Sequence, residues 1–355
     1  MHLVNITPHG VEKMRGSIPW ITEGRYLVCD ANVGELFVTG MAERAEYYHI
    51  DCPLHWGSLQ WRVRKMLIIP HGGFGDMLFL TPSLFWIHEK HHEIEISLCA
   101  FDNYLAILDS PGLEFVKRVG YPLLASEIDA YDVIVPLEEC IKPGLDAVTA
   151  IAERMCAEPV NKKPHYIITD EEKVGAEYRF PKTNKKRIGL QLKSTSAARS
   201  WPQRYCINFT GLCLQEGYEV FLFGAPGEAQ GVVPHGVVNL TACDPPLSFR
   251  ESAAVVSSLD CMVAPDSAFC HIAGCLDIPT VALYAAFPWN ERVGHFTSVR
   301  ALTGKASCGI QHCHWHAIAG QQFPPGERCE YEGECSGMVD LSPERVLRAV
   351  KQRLQ

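Results

Sequence analysis

From Arg64 onward the chain alternates short apolar runs with longer segments that read as helices. Met66–Ile69, Ile94–Ala100 and Asp132–Pro136 have the near-continuous apolar character of strands buried on both faces of a parallel sheet, with helical runs near Pro82–Lys90 and Asn103–Leu108. A second series follows Arg187, with strands at Ile188–Leu192, Tyr218–Phe223, Cys261–Ala264 and Thr280–Tyr284. Its helices are expected over Pro202–Glu216, Phe249–Ser258 and Ala268–Leu276. Two such series predict an α/β fold with two Rossmann-like domains. The first sixty residues follow another pattern: Arg25–Asp30, Glu35–Gly40 and Glu46–Ile50 are short strands, the first two joined by the hairpin-like Ala-Asn-Val-Gly. Polar, Lys- and Pro-rich segments put an inter-domain linker between about 160 and 186. After Tyr284 the alternation stops, and Ser342-Pro343 opens a terminal helix to about Leu354, with Ser342 as cap and Pro343 as first residue. The expected division is a small N-terminal β module over 1–60, Rossmann-like domains over 61–175 and 186–305, a cysteine segment over 306–340 and a helix over 341–355.

Composition narrows the class. Of 355 residues, 47% are hydrophobic and 21% charged, as in a soluble globular protein, and a net charge of −9 speaks against a generalised grip on nucleic acid. No apolar run is long enough to span a membrane and no signal-peptide pattern opens the chain, so a cytoplasmic setting is expected. The 15 cysteines then read as reduced thiols, some of them metal-bound, rather than as a disulfide framework.

Four constellations carry candidate chemistry. In Pro70–Pro82, Gly72, Gly73 and Gly75 permit a sharp turn and a close approach to a ligand, and Asp76 follows at the carboxyl end of a strand. Asp76 there is either a general base or a cap for the following helix. In Lys193–Pro202, Lys193, the Ser194 and Thr195 hydroxyls and Arg199 can converge on an anion such as a departing diphosphate, or form a solvated polar loop. Asp266, Ser267 and His271 open a helix after a strand; they read either as sugar and phosphate contacts or as an N-cap and a buried histidine. Finally, Cys308, Cys313, Cys329 and Cys335 lie in a Gly/Pro-rich segment too poor in apolar surface to order itself. Four thiolates suit a closed, structural tetrahedral site for zinc or iron, with His312, His314 and His316 as substitutes for one sulfur.

From Met66 to Phe287 these pieces resemble, in order and spacing, glycosyltransferase family 9, the heptosyltransferase family with a GT-B fold of two Rossmann-like domains facing a cleft. Gly75-Asp76-Met77-Leu78 with Thr81-Pro82 is similar to the family's Gly-Asp-x-Leu-x-x-Thr-Pro signature, and Ser200-Trp201-Pro202 to its Lys/Arg-x-Trp-Pro element. Gly224-Ala225-Pro226-Gly227-Glu228 resembles its Gly-x-Pro-x-Glu turn. Asp266-Ser267-x-x-x-His271 resembles its Asp-Ser/Thr-Gly-x-x-His signature, with Ala268 in the place of glycine. The resemblance implies that Asp76 deprotonates the acceptor and that Ser194, Thr195 and Arg199 contact the diphosphate. It further implies that Glu228 contacts the nucleoside, and that Asp266, Ser267 and His271 handle the donor sugar and its phosphate. The four-cysteine segment and the N-terminal β module are similar to the autotransporter heptosyltransferase branch, which implies iron in the finger and a protein serine acceptor.

The leading expectation is an inverting transferase that moves heptose from ADP-heptose to an acceptor hydroxyl, on a protein or a glycan, without a catalytic divalent cation. A homo-oligomer is a candidate assembly. The competing readings are a nucleotide-sugar-binding module without turnover and a nucleotide-sugar epimerase, which needs another acid/base arrangement. A dinucleotide-dependent oxidoreductase is disfavoured, because His71-Gly72-Gly73-Phe74-Gly75 lacks the G-x-G-x-x-G spacing and no acidic residue follows at the expected strand end.

Overall fold

The computed structural model describes residues 2–5, 26–29, 48–50, 63–70, 72–121, 130–137, 140–141, 143–229, 233–308, 312–313 and 334–355. The chain divides into two compact units, Met1–His165 and Tyr166–Gln355.

The first unit is built on a seven-stranded sheet in the order β3-β1-β2-β7-β4-β5-β6. The strands are β1 (His2–Asn5), β2 (Tyr26–Cys29), β3 (Tyr48–Ile50), β4 (Lys65–Ile69), β5 (Glu95–Ala100), β6 (Val116–Gly120) and β7 (Val133–Pro136). Strands β7, β4, β5 and β6 are mutually parallel, and the sequence order reverses between β4 and β7. Met66, Leu67, Ile68 and Leu98 are fully buried, as expected of strands covered on both faces. The expected N-terminal β module is corrected here. Its strands are not a sheet of their own: β2 pairs in parallel with β7, and β1 then pairs antiparallel with both β2 and β3. They continue the domain sheet past β7 and so cover an edge that would otherwise be open. The expected strand Glu35–Gly40 and its hairpin lie outside the described residues.

The first helix, α1, runs over Phe74–Lys90 instead of beginning at Pro82. A proline inside a helix orphans the carbonyl four residues back. Here Thr81 Oγ1 donates to that carbonyl, Leu78 O, at 2.7 Å, and accepts from the His165 N–H at 2.8 Å. The Thr-Pro pair is thus a self-repaired interruption, and the helix passes through it.

The second unit holds a fully parallel six-stranded sheet in the order β10-β9-β8-β11-β12-β13. Its strands are β8 (Arg187–Gln191), β9 (Glu219–Phe223), β10 (Val238–Asn239), β11 (Cys261–Pro265), β12 (Thr280–Tyr284) and β13 (Val299–Thr303). Counted from β8 this is the doubly wound order 3-2-1-4-5-6, whose topological switch point lies between β8 and β11. Such sheets bind ligands outside the carboxyl ends of the strands at that point. Helices Gln203–Gln215 and Pro343–Arg353 pack beside the sheet around Phe209, Cys213, Val346 and Val350. Trp201 is buried and its Nε1 donates to Leu341 O at 2.8 Å, which pins the loop after β8 to the start of the terminal helix. Ser342 caps that helix through the Arg345 N–H, as its sequence suggests.

Within the expected linker a helix forms over Asp170–Arg179. Thr169 and Glu172 close a reciprocal capping box, with the Thr169 N–H donating to Glu172 Oε2 at 2.8 Å and the Glu172 N–H donating to Thr169 Oγ1 at 3.2 Å. Arg250 then binds Glu172 from the helix Phe249–Val256 and so ties the segment into the second unit.

Candidate functional site

In the first unit the glycine turn leads from β4 into α1. Gly72 adopts φ +99°, and a Cβ there would stand 2.1 Å from Asp76 Oδ2, so both the backbone conformation and the space require glycine. Asp76 is half-buried in the first turn of α1, and its Oδ2 accepts the Gly73 N–H at 2.7 Å. One carboxylate oxygen therefore caps the helix. Gly75 lies in the same first helical turn.

In the second unit the loops after β8 and β11 meet across the switch point. Ser194 Oγ donates to Asp266 O at 3.0 Å, and Ser267 Oγ donates to Gln191 Oε1 at 2.6 Å. Arg199 sits on the short 3₁₀ turn Ala197–Arg199; its Nη1 donates to Asp266 Oδ2 at 3.1 Å and its Nη2 to Thr195 Oγ1 at 2.9 Å. His271, on the helix Ala268–Cys275, brings Nε2 to 3.2 Å from Asp266 Oδ1, and the buried Tyr284 hydroxyl donates to the same oxygen at 3.3 Å. Asp266 is 3% exposed, so its carboxylate faces protein groups more than solvent. Burial pushes that carboxyl up, but the His271 hydrogen bond and the Arg199 and Arg292 charges outweigh it and hold the group well below the usual carboxylate range. The Tyr284 phenol moves the other way, raised by burial and by the Asp266 charge.

Glu228 and Lys193 form a looser pair beside this network. Glu228 Oε2 accepts the Ala225 N–H at 2.9 Å, and Lys193 Nζ stands 4.0 Å from Glu228 Oε1. The turn is closely fitted, since a Cβ on Gly224 would stand 2.2 Å from Glu228 Oε2. Lys193, Ser194, Ser200 and Glu228 line a cavity of about 370 Å³ whose wall continues along Trp201 and Cys206.

The structure thus gathers Ser194, Thr195, Arg199, Asp266, Ser267 and His271 into one network, and places Lys193 and Glu228 along the adjoining cavity. Sequence reasoning missed Gln191, Tyr284 and Arg292, which the structure places around Asp266 and Ser267. Arg292 is carried by a helix of only four residues, Asn290–Val293, too short for any periodicity to reveal. The one available signal was a cation soon after a strand terminus.

Of the four candidate metal ligands, Cys308 and Cys335 are half-buried, Cys313 is exposed and Cys329 lies outside the described residues. The segments bearing Cys308 and Cys335 run side by side, since the Ser307 N–H donates to Ser336 Oγ at 3.0 Å. Among the described residues no three His, Cys, Asp or Glu side chains gather to hold a metal. The buried thiols elsewhere behave as packing groups, with Cys206, Cys213 and Cys261 each pushed up to about 12, chiefly by burial. Among the described residues no helix is long and apolar enough to cross a membrane.

Residues 145–301 match the family model of glycosyltransferase family 9 (heptosyltransferase), a span that begins after the Gly72–Asp76 turn. Solved structures extend the likeness in fold. A family-9 glycosyltransferase from Veillonella parvula is 15% identical with a TM-score of 0.62, over 82% of this chain and 97% of that one. ADP-heptose LPS heptosyltransferase II of E. coli is 16% identical with a TM-score of 0.59, over 82% and 98%. The iron-containing dodecameric glycosyltransferase TibC of enterotoxigenic E. coli is 13% identical with a TM-score of 0.59, over 82% and 76%. No curated protein sequence matches the chain.

Proposed function

We propose that this chain is a glycosyltransferase of family 9, whose model matches residues 145–301, and that it transfers heptose from ADP-heptose to an acceptor hydroxyl with inversion at the anomeric carbon. The observation that carries this reading is the cationic network at the switch point of the second unit, inside the span matched by the family model. In the proposed step the acceptor oxygen bonds to the anomeric carbon as the bond to the diphosphate breaks, and that electron pair leaves on the diphosphate. Asp76 takes the acceptor's proton. Arg199, with Ser194, Thr195 and Lys193, receives the departing charge, so no metal ion is needed for that neutralisation. Glu228 serves the nucleoside, beside the cavity it lines.

Asp266 is given a different part from the one the resemblance implies. Its carboxylate is already engaged by Arg199, His271 and Tyr284. It therefore acts through these groups by fixing Arg199 and His271, while Ser267 and His271 remain the donor-facing pair.

The four cysteines are proposed as the ligands of one structural metal ion. Their soft sulfur donors and the side-by-side course of the Cys308 and Cys335 segments fit such a site. Iron is favoured over zinc because TibC, a neighbour in fold, is iron-containing. The same neighbour is dodecameric, which supports an oligomer. The proposed acceptor is a protein serine, on the resemblance of the four-cysteine segment to the autotransporter branch.

The test incubates purified protein with ADP-heptose and each acceptor class, and follows ADP release together with acceptor mass. Release of ADP matched by one heptose mass on an acceptor is expected. Tight ADP-heptose binding without transfer to any acceptor would reduce the protein to a binding module. Metal analysis of the same preparation should return about one ion per chain, lost on replacing Cys313 and Cys329.

A further inference from the structure

We infer that Arg292 is a second cation for the donor's diphosphate, paired with Arg199 across Asp266 and Phe287. The inference rests on reading this network as a nucleotide-sugar site, and it names a residue that no sequence motif marks. Arg292 is 9% exposed, yet its Nε makes no hydrogen bond among the described residues. The nearest carboxylate oxygen, Asp266 Oδ2, stands 4.0 Å from that Nε, whereas it accepts from Arg199 at 3.1 Å. One carboxylate therefore serves two guanidinium groups unequally, and Arg292 is the less committed of the two. Both guanidiniums lie against the Phe287 ring, Arg292 at 5.2 Å and Arg199 at 6.0 Å from its centroid.

A guanidinium drawn out of water with a donor left unmade is costly, and buried charges persist where a partner completes them. The two guanidinium charges of Arg199 and Arg292 exceed by one the single Asp266 carboxylate they share at the carboxyl edge of the sheet. A diphosphate brings the missing charge, and acceptor oxygens in the planar spacing that a guanidinium fork matches. A nucleoside monophosphate brings one phosphate fewer, so Arg292 should enlarge the preference for diphosphate over monophosphate. Asp266 keeps the two guanidiniums from repelling one another when the site is empty.

Calorimetric titration of the full chain with ADP, AMP and inorganic pyrophosphate tests this, using wild type, Arg292→Gln and Arg292→Lys. Arg300→Gln, on an exposed strand position, controls for the simple loss of one positive charge. Arg292→Gln should weaken ADP and pyrophosphate by about 10- to 100-fold, with AMP changed by about threefold or less. Arg292→Lys should recover part of the loss, because it restores charge without the fork. Arg300→Gln should match wild type. If Arg292→Gln keeps wild-type ADP affinity and an unchanged ADP-to-AMP ratio, the inference is overturned, whatever happens to its unfolding temperature. Should Arg292→Gln not fold, Arg292→Lys decides, a wild-type ADP-to-AMP ratio overturning the inference and a reduced one upholding it. A wild-type protein that binds neither ADP nor pyrophosphate would instead sink the nucleotide-sugar reading itself, so the two failures are told apart.

Discussion

Two aspartates sit at strand ends in the two units, and their surroundings differ in nearly every respect. Asp76 follows β4, is half-buried, and has one oxygen committed to a single backbone N–H of its own helix. Asp266 follows β11, is almost fully buried, and is met by one guanidinium, one imidazole and one phenol, with a second guanidinium just beyond. Similar topology at the two switch points thus supports opposite uses of the same side chain. On the proposed reading, the carboxylate anchored by one local bond is the one that meets the acceptor. One surrounded by cations is stabilised in its charged form and serves to place them. The lesson is that position at a strand's carboxyl end nominates a residue for function, while its partners decide which function.

The contrast can be broken by exchanging each acid for its amide. Asp76→Asn keeps a carbonyl oxygen to accept the Gly73 N–H but cannot take a proton. Transfer should fall by about 10²- to 10⁴-fold while ADP binding stays at the wild-type level; an unchanged turnover number would remove Asp76 from the chemistry. Asp266→Asn should do the reverse, acting first on stability and on nucleotide binding. It strands the Arg199 and Arg292 charges, a change that costs about 3–5 kcal/mol when one partner of a buried pair is removed. The pH dependence gives the sign. The folded carboxyl is held below its ordinary range, so its contribution is complete above roughly pH 4, the ordinary carboxylate value, and fades as pH falls toward the depressed one. Denaturation curves of wild type and Asp266→Asn should therefore differ most from neutrality down to about pH 4 and converge below it. Curves that stay parallel into strong acid would show that the network does not hold this carboxylate ionised.

Much of this arrangement is legible in the chain. The strands of the second unit announce themselves as apolar runs, and Thr280–Tyr284 is found with the expected bounds. Residues near the switch point, such as Ser194, Arg199, Asp266 and His271, are readable because they follow those strands directly. What stayed hidden has physical reasons. The strand Val116–Gly120 carries Lys117 and Arg118 on a sheet edge, so it lacks an apolar run. The helix Asp170–Arg179 has no buried residue, and only its Thr-x-x-Glu cap betrays it. The inward turn of Asp266 depends on Tyr284 and Arg292, which come from two later segments of the chain, and no local pattern encodes that convergence.

The smallest expected effect concerns the support of Asp76 rather than the acid itself. Pro82 should break the helix that begins at Asp76's turn, and Thr81 prevents this by donating to the orphaned Leu78 carbonyl. The Thr81 hydroxyl oxygen also accepts the His165 N–H, so one hydroxyl serves a helix and the last residue of the first unit together. Thr81→Val conserves shape and removes both bonds in a fully buried position, leaving a carbonyl and an N–H without partners. The cost should be about 1–3 kcal/mol, read as a lower denaturant midpoint at an unchanged slope. Because Thr81 lies in the first unit, ADP affinity, which is proposed for the second, should not move. A drop in ADP affinity with Thr81→Val would mean that the two strand-end sites are energetically coupled, and the contrast between a free acid and a committed one would then have to be redrawn as a single shared network.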